Sequence, residues 1–262
     1  MVYKSDYSNI KELYLRFLKK KEVAGKPIID KIGKLNTFYL PLSEWIYDVS
    51  KKNNKTKIIG LSGGQGSGKS TITSILKYIL KKKYGLELCV FSIDDFYKTK
   101  TEREKLANEV HPLFYTRGVP GTHDVKFIEK ILKKLKKKNF KKVLIPKFDK
   151  SIDDRSKKSK WTKITKAPNV IIFEGWCVGA TYQKDKMLIK PINLIERNFD
   201  RDLKWRKKVN DLLKNDNKKL FSKLDKLVYL KAPNFDHIFQ WRLHQEQKLK
   251  LTSKNKKTMS KS

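Results

Sequence analysis

The sequence predicts an α/β fold, a parallel sheet with helices on both faces, and three observations carry that prediction. Short apolar runs of strand length alternate with stretches whose apolar residues recur at helical spacing. A glycine-rich turn separates the first such run from an amphipathic stretch. The run Val170-Ile-Ile-Phe173 is continuously apolar, as a strand covered on both faces requires.

Taken in order, residues 1–56 read as a helical N-terminal extension. Ile10, Leu13, Phe17 and Leu18 recur at helical spacing, and Leu40, Leu42, Trp45 and Ile46 form a second apolar face. The remainder, residues 57–262, reads as one domain. Lys57-Ile-Ile-Gly-Leu-Ser62 is its first strand, and residues 71–82 form a helix with Ile72, Ile75, Leu76 and Ile79 on one side. Residues 86–93 give a second strand ending at Asp94-Asp95. Residues 99–123 read mostly as loop, broken by Pro112, Gly118, Pro120 and Gly121. Asp124 suits the N-cap of a helix carrying Val125, Ile128, Ile131, Leu132 and Leu135 on one face. Val143-Leu-Ile-Pro146 is a short strand, and residues 147–166 read as a charged, mobile excursion. The strand at 170–173 ends at Glu174. Residues 184–220 are lysine-rich and helical in tendency, Leu227-Val-Tyr-Leu230 reads as a final core strand, and residues 235–251 as a last helix. Such alternation implies right-handed crossovers between parallel strands.

Composition removes several function classes. With 39% hydrophobic residues and 11% aromatic, the 262-residue chain can build a core and is not wholly disordered. No uncharged apolar run approaches the roughly 18–20 residues that span a bilayer, and the N-terminus lacks the apolar stretch of a signal peptide. Cys89 and Cys177 lie in apolar stretches and offer neither a disulfide framework nor metal-ligand spacing. The chain therefore reads as a soluble cytoplasmic protein. Its net charge of +35 comes from 62 Lys and Arg against 27 Asp and Glu. Only 8 of the 62 are Arg, the residue better suited to planar phosphate and base recognition. The lysines run along the whole chain beside many Asn, which reads as compositional bias rather than a nucleic-acid footprint, and the run at 133–138 reads as the solvent face of a helix.

The strongest signal is Gly63-Gly64-Gln65-Gly66-Ser67-Gly68-Lys69-Ser70-Thr71, which fits the Walker A phosphate loop G-x-x-x-x-G-K-[ST] with a strand before it and a helix after it. Glycines let backbone N–H groups wrap a phosphate whose charge the helix N-terminus favours. Lys69 supplies a positive charge at the β/γ bridge, and the Ser70 hydroxyl can ligate Mg²⁺. This makes the fold a P-loop NTPase and ATP with Mg²⁺ the implied cofactors. A second, acidic metal contact is needed at a neighbouring strand end, and Glu174 and the Asp94-Asp95 pair are both available. One can hold the metal while the other accepts a proton from a substrate hydroxyl, which separates small-molecule kinases from nucleotidases that position water.

Ser92-Ile-Asp-Asp-Phe-Tyr97 resembles the segment that uridine kinase, phosphoribulokinase and pantothenate kinase carry after their second strand. The chain resembles the glycerate 3-kinase type more specifically, through the phosphate loop, Ser92–Tyr97, Arg117-Gly-Val-Pro-Gly-Thr-His-Asp124, Pro146-Lys-Phe-Asp-Lys-Ser151, Phe173-Glu-Gly-Trp-Cys-Val-Gly179, Val228-Tyr-Leu-Lys-Ala-Pro233 and Gln240-Trp-Arg-Leu-His-Gln-Glu246. Leu40-Pro-Leu-Ser-Glu-Trp-Ile46 fits the family's helical lead-in, so the resemblance covers residues 38–259. The family continues past Thr258-Met-Ser260 with a further helical segment, whereas this chain stops at Ser262, and Cys177-Val178 replaces a bulkier pair.

The resemblance implies that Asp94 is the catalytic base and Glu174 the acid that joins Ser70 on the metal. It implies substrate contacts from Asp95 and Tyr97, and from His123 in the loop that related kinases use to hold substrate. Asp149 and Arg155 occupy the place of a substrate-facing aspartate and arginine. A helical lid at about 184–220 is implied too, where Arg197, Arg201 and Arg206 would neutralise the transferred phosphoryl, with Arg201 the leading catalytic candidate. The expected function is ATP-dependent phosphorylation of a hydroxyl on a small metabolite, D-glycerate first. A nucleoside, pantothenate or a sugar phosphate is the alternative acceptor, and a nucleic-acid-associated NTPase the alternative of another class. The expected partner is a small hydroxylated molecule, with no nucleic acid and no membrane.

Overall fold

The computed structural model describes residues 4–20 and 30–252; Thr258-Met-Ser260 lies outside them. Helices α1 (Lys4–Lys19), α2 (Lys31–Lys34) and α3 (Leu40–Lys51), the last two joined by a π-helical turn, precede strand β1 (Lys57–Gly63). Helix α4 (Lys69–Tyr84) and strand β2 (Leu88–Ser92) follow, then α5 (Lys100–Glu109) and α6 (Val125–Leu135). Strands β3 (Val143–Ile145), β4 (Phe148–Asp149), β5 (Asp154–Arg155), β6 (Thr162–Ile164) and β7 (Val170–Gly175) come next. Helices α7 (Leu194–Phe199), α8 (Lys204–Leu212) and α9 (Lys218–Phe221), strand β8 (Lys226–Leu230) and α10 (Phe235–Thr252) are the last of the described elements.

The central sheet is parallel, in the order β2-β7-β1-β8. Successive side chains of a strand point to opposite faces, and the two cores follow from that. Ile59, Leu61, Val170 and Ile172 face α4 together with α1 and α3, where Tyr47 stacks on Tyr84 at 4.2 Å. Ile58, Ile171 and Phe173 face α6 through Ile128, Ile131 and Leu132. Every residue of β1 and β7 is buried, which fixes their carboxyl ends as the rigid platform of the site.

Five expectations need correction. Residues 99–123 are not mostly loop: α5 occupies 100–109, started by a capping box in which Thr99 and Glu102 satisfy each other's backbone N–H. The 147–166 excursion is structured by two antiparallel pairs, β4 with β5 and β6 with β3. That pairing removes β3 from the main sheet, so the strand at 143 adds no parallel neighbour. Strand β8 is an edge whose Leu227 and Tyr229 are exposed, not a core strand. The helix expected over 71–82 begins earlier, at Lys69, because Gly68 supplies its N-cap at φ 84°, a left-handed conformation that favours glycine. Cys89 and Cys177 are buried free thiols, and among the described residues no helix is long and apolar enough to cross a membrane.

Candidate active site

The phosphate loop leaves β1 and enters α4, so its backbone N–H groups meet the N-terminus of a four-turn helix. Gly66 has φ 79°, and a Cβ there would lie 2.7 Å from Trp241 Cβ, so only glycine lets α10 rest against the loop. The Lys69 ammonium donates to the carbonyls of Gly63 at 2.8 Å and Gly64 at 2.9 Å. Burial lowers its pKa, opposed by the Glu174 and Asp94 charges.

Beside the loop opens a cleft of about 390 Å³ that Ser70, Asp94, Asp95, Glu174, Lys147 and Lys150 help to line. The strand order explains the convergence, since Ser92 and Glu174 are register partners on β2 and β7, and Leu61 pairs with Glu174 from the other side. Glu174 is only 7% exposed. Burial pushes its pKa up while Lys69 pulls it back, so its anionic form lacks full compensation from the protein. A buried carboxylate and a serine hydroxyl in one cleft are hard oxygen donors, and they fit Mg²⁺.

Asp94 and Asp95 lie in a short 3₁₀ turn whose start is capped by Ser92 Oγ, which accepts from the Asp94 N–H at 3.2 Å. Both Asp94 oxygens are engaged: Oδ1 accepts from the Tyr97 hydroxyl at 3.0 Å and Oδ2 from the Lys150 ammonium at 3.0 Å. Burial alone would raise this carboxyl, but Lys150 and the Tyr97 hydroxyl bring it below the ordinary value. Asp95 turns to Lys147, with Oδ1 3.1 Å from its ammonium.

The other candidates stand further off. Tyr97 is buried and meets the site only through its hydroxyl. His123 stacks behind Tyr97 with ring centres 4.5 Å apart, is 2% exposed and has no hydrogen-bond partner on either ring nitrogen. Burial lowers its pKa to about 4. Asp149 accepts from the backbone and hydroxyl of Ser151, in its own turn. Arg155 donates to the Tyr97 carbonyl at 2.8 Å and to Asp124 at 2.9 Å, tying β5 to the start of α6. Asp124 also caps α6 by accepting from the Phe127 N–H. Arg197 and Arg201 are exposed in the segment expected as a lid. Arg206 is buried there, ion-paired to Asp200 at 3.0 Å and Glu196 at 3.3 Å, and holds that segment together from inside.

Sequence reasoning missed Lys147 and Lys150, both inside a quoted motif but read as part of a charged loop. It also missed Arg103, which is fully buried. Arg103 donates to the carbonyls of Lys98, Tyr115 and Asp153 and to the Asp153 carboxylate, which Arg117 also pairs. Both guanidinium groups lie over the Phe148 ring, so this knot carries the strap that bears Lys147 and Lys150.

The family model described as "Phosphoribulokinase / Uridine kinase family" matches residues 58–243. An uncharacterized kinase of Schizosaccharomyces pombe is 39% identical over 208 residues, covering 76% of this chain and 73% of that protein. The chloroplastic D-glycerate 3-kinase of Arabidopsis thaliana is 33% identical over 173 residues, 59% of this chain and 37% of that protein. Among solved structures, D-glycerate 3-kinase from Cryptococcus neoformans superposes with a TM-score of 0.71 at 26% identity, covering 81% of this chain and 79% of that one.

Proposed function

Because the chain belongs to the phosphoribulokinase/uridine kinase family, we propose that it transfers the γ-phosphoryl group of ATP to a hydroxyl of D-glycerate, with Asp94 as general base. It is an ATP-dependent small-molecule kinase by family. The observation that carries the finer reading is the single cleft shared by Asp94, Glu174 and Ser70 at the end of the phosphate loop. Its likeness to two D-glycerate 3-kinases favours glycerate over other acceptors.

In this reading Asp94 takes the proton of the attacking hydroxyl. Tyr97 and Lys150 keep its carboxylate ionised, the form a proton acceptor must have. Lys69 sets a positive charge against the phosphate chain, and Ser70 and Glu174 would hold magnesium. A magnesium ion held by these two residues would supply positive charge to offset that of the phosphates. Arg201, exposed in the segment read as a lid, would add a donor to the transferred group on closure of that segment. His123, Asp149 and Arg155 support the reading as scaffolding for Tyr97 and the cleft wall, not as direct substrate contacts. Residues 57–252 carry every group of this mechanism, with helices α1 and α3 packed against α4 as a helical extension.

A coupled ADP-release assay with D-glycerate, uridine, pantothenate and simple sugar acids tests the proposal. Turnover that depends on D-glycerate is expected. Turnover with uridine or pantothenate and none with glycerate would overturn it.

A further inference from the structure

We propose that Lys150 is the residue by which this site selects a negatively charged acceptor: its ammonium bridges the Asp94 carboxylate to the anionic group of a hydroxy acid. The proposal rests on the reading of Asp94 as the base.

Three observations point to it. First, Lys150 reaches into the cleft from the β4–β5 turn and donates to Asp94 Oδ2 at 3.0 Å, while the other oxygen is held by Tyr97. An ammonium has three N–H donors, and one is spent on Asp94, leaving capacity for an acceptor oxygen on the same nitrogen. A carboxylate bound there sits one ammonium away from the base, so a hydroxyl one or two carbons further along the acceptor is brought towards Asp94. Second, the Lys150 side chain is 60% exposed against 29% for Asp94, and an ion pair whose cation is open to water contributes only modestly to stability. Folding therefore does not explain holding a long, flexible side chain in the cleft. Third, the strap that presents it is anchored below by the fully buried Arg103 and by Arg117, both bound to Asp153 and lying over Phe148. A solvated surface lysine needs no such footing.

Lys69 already faces the phosphate loop, so a second lysine serving the phosphates would act whatever acceptor is bound. That difference makes the two roles separable. The experiment compares D-glycerate with glycerol, which keeps the hydroxyls and lacks the carboxylate, for the wild-type chain, Lys150→Met and Lys150→Arg. Methionine keeps an unbranched side chain without the charge. For Lys150→Met, kcat/KM for glycerate is expected to fall about 10–150-fold, the worth of a charged hydrogen bond, chiefly through KM. Because Lys150 also helps keep Asp94 ionised, kcat for both acceptors should fall together by a smaller factor. The deciding readout is therefore the glycerate-to-glycerol ratio of kcat/KM, which should drop at least about tenfold through KM for glycerate, while KM for ATP stays within about threefold. Lys150→Arg should recover part of the glycerate activity. If Lys150→Met lowers glycerate and glycerol equally, or leaves the ratio between them unchanged, the inference is wrong although the glycerate reading stands. If the wild-type chain does not phosphorylate glycerate at all, the functional reading itself fails and takes the inference with it.

Discussion

Replacing Asp94 with Asn isolates the proton acceptor from everything else the side chain does. The carboxylate receives two donors, Tyr97 Oη on Oδ1 and Lys150 Nζ on Oδ2, each at 3.0 Å. Asparagine keeps one acceptor oxygen, and the buried Tyr97 hydroxyl needs it more than the exposed lysine does. Lys150 then turns to water, so the stability cost is about 1 kcal/mol or less and Tm falls by no more than about 2–4 °C. The chemical step loses its base, which lowers turnover by about 10²–10⁴-fold, or roughly 2.7–5.5 kcal/mol of barrier. ATP affinity should survive, since no loop residue hydrogen-bonds to Asp94. Asp95→Asn loses only part of a pairing with the exposed Lys147 and should cost less than about tenfold in turnover. Turnover by ADP release, ATP binding by titration calorimetry and Tm, measured on both variants, decide the matter. An Asp94→Asn enzyme within about threefold of wild type, or an Asp95→Asn enzyme that alone is inactive, refutes the reasoning.

Other outcomes follow from the same geometry. Lys69→Ala should abolish transfer and weaken ATP binding in calorimetry; unchanged turnover would show the loop to be vestigial. Arg103→Met strips three carbonyls and the Asp153 carboxylate of a buried partner, so thermal unfolding should show a loss of about 3–5 kcal/mol, or roughly 6–20 °C. The buried His123 titrates near 4 when folded against 6.5 when unfolded, so the unfolded chain binds the extra proton between those values. The ring therefore imposes no proton-linked penalty above about pH 6.5, and stability declines as pH falls towards 4, by on the order of 3 kcal/mol. His123→Phe, which keeps the stack on Tyr97, should flatten that part of the denaturant-derived stability profile relative to wild type. Arg201→Ala should lower kcat while leaving Tm unchanged, whereas Arg206→Ala should lower Tm because it leaves Glu196 and Asp200 without their buried cation.

What could be read from the sequence was what is local. The phosphate loop is contiguous, and its flanking strand and helix have clean periodicity, so Lys69 and Ser70 were identifiable without a structure. Asp124 likewise declared its capping role by position, three residues before the N–H it accepts. Helix α5 was not legible from periodicity because KTEREKLANE has almost no apolar face; only the Thr99–Glu102 spacing marked its start. Arg103 is a charge in the interior, and nothing in its neighbours reveals the three carbonyls gathered around it from residues 98, 115 and 153. Arg155 sits where a substrate-facing arginine was expected, yet the β4–β5 hairpin directs it to Asp124. Arg206 differs from Arg201 through pairing with Glu196 and Asp200, which spacing alone does not disclose.

The strand order also governs when, during synthesis, a working site can exist. The phosphate loop follows β1 and the two aspartates follow β2, yet these strands are not neighbours; β7 lies between them. With strands about 4.8 Å apart, β1 and β2 share no ladder with each other and are joined only once residues 170–175 are made. A nascent chain ending before Val170 thus holds the complete Walker A sequence and Asp94 but no ladder to set their separation, and Glu174 has not yet been added. Contacts this distant along the chain form slowly and leave strand edges open meanwhile. ATP can therefore act as a folding ligand only late, after the third-placed strand has slotted into the middle of the sheet.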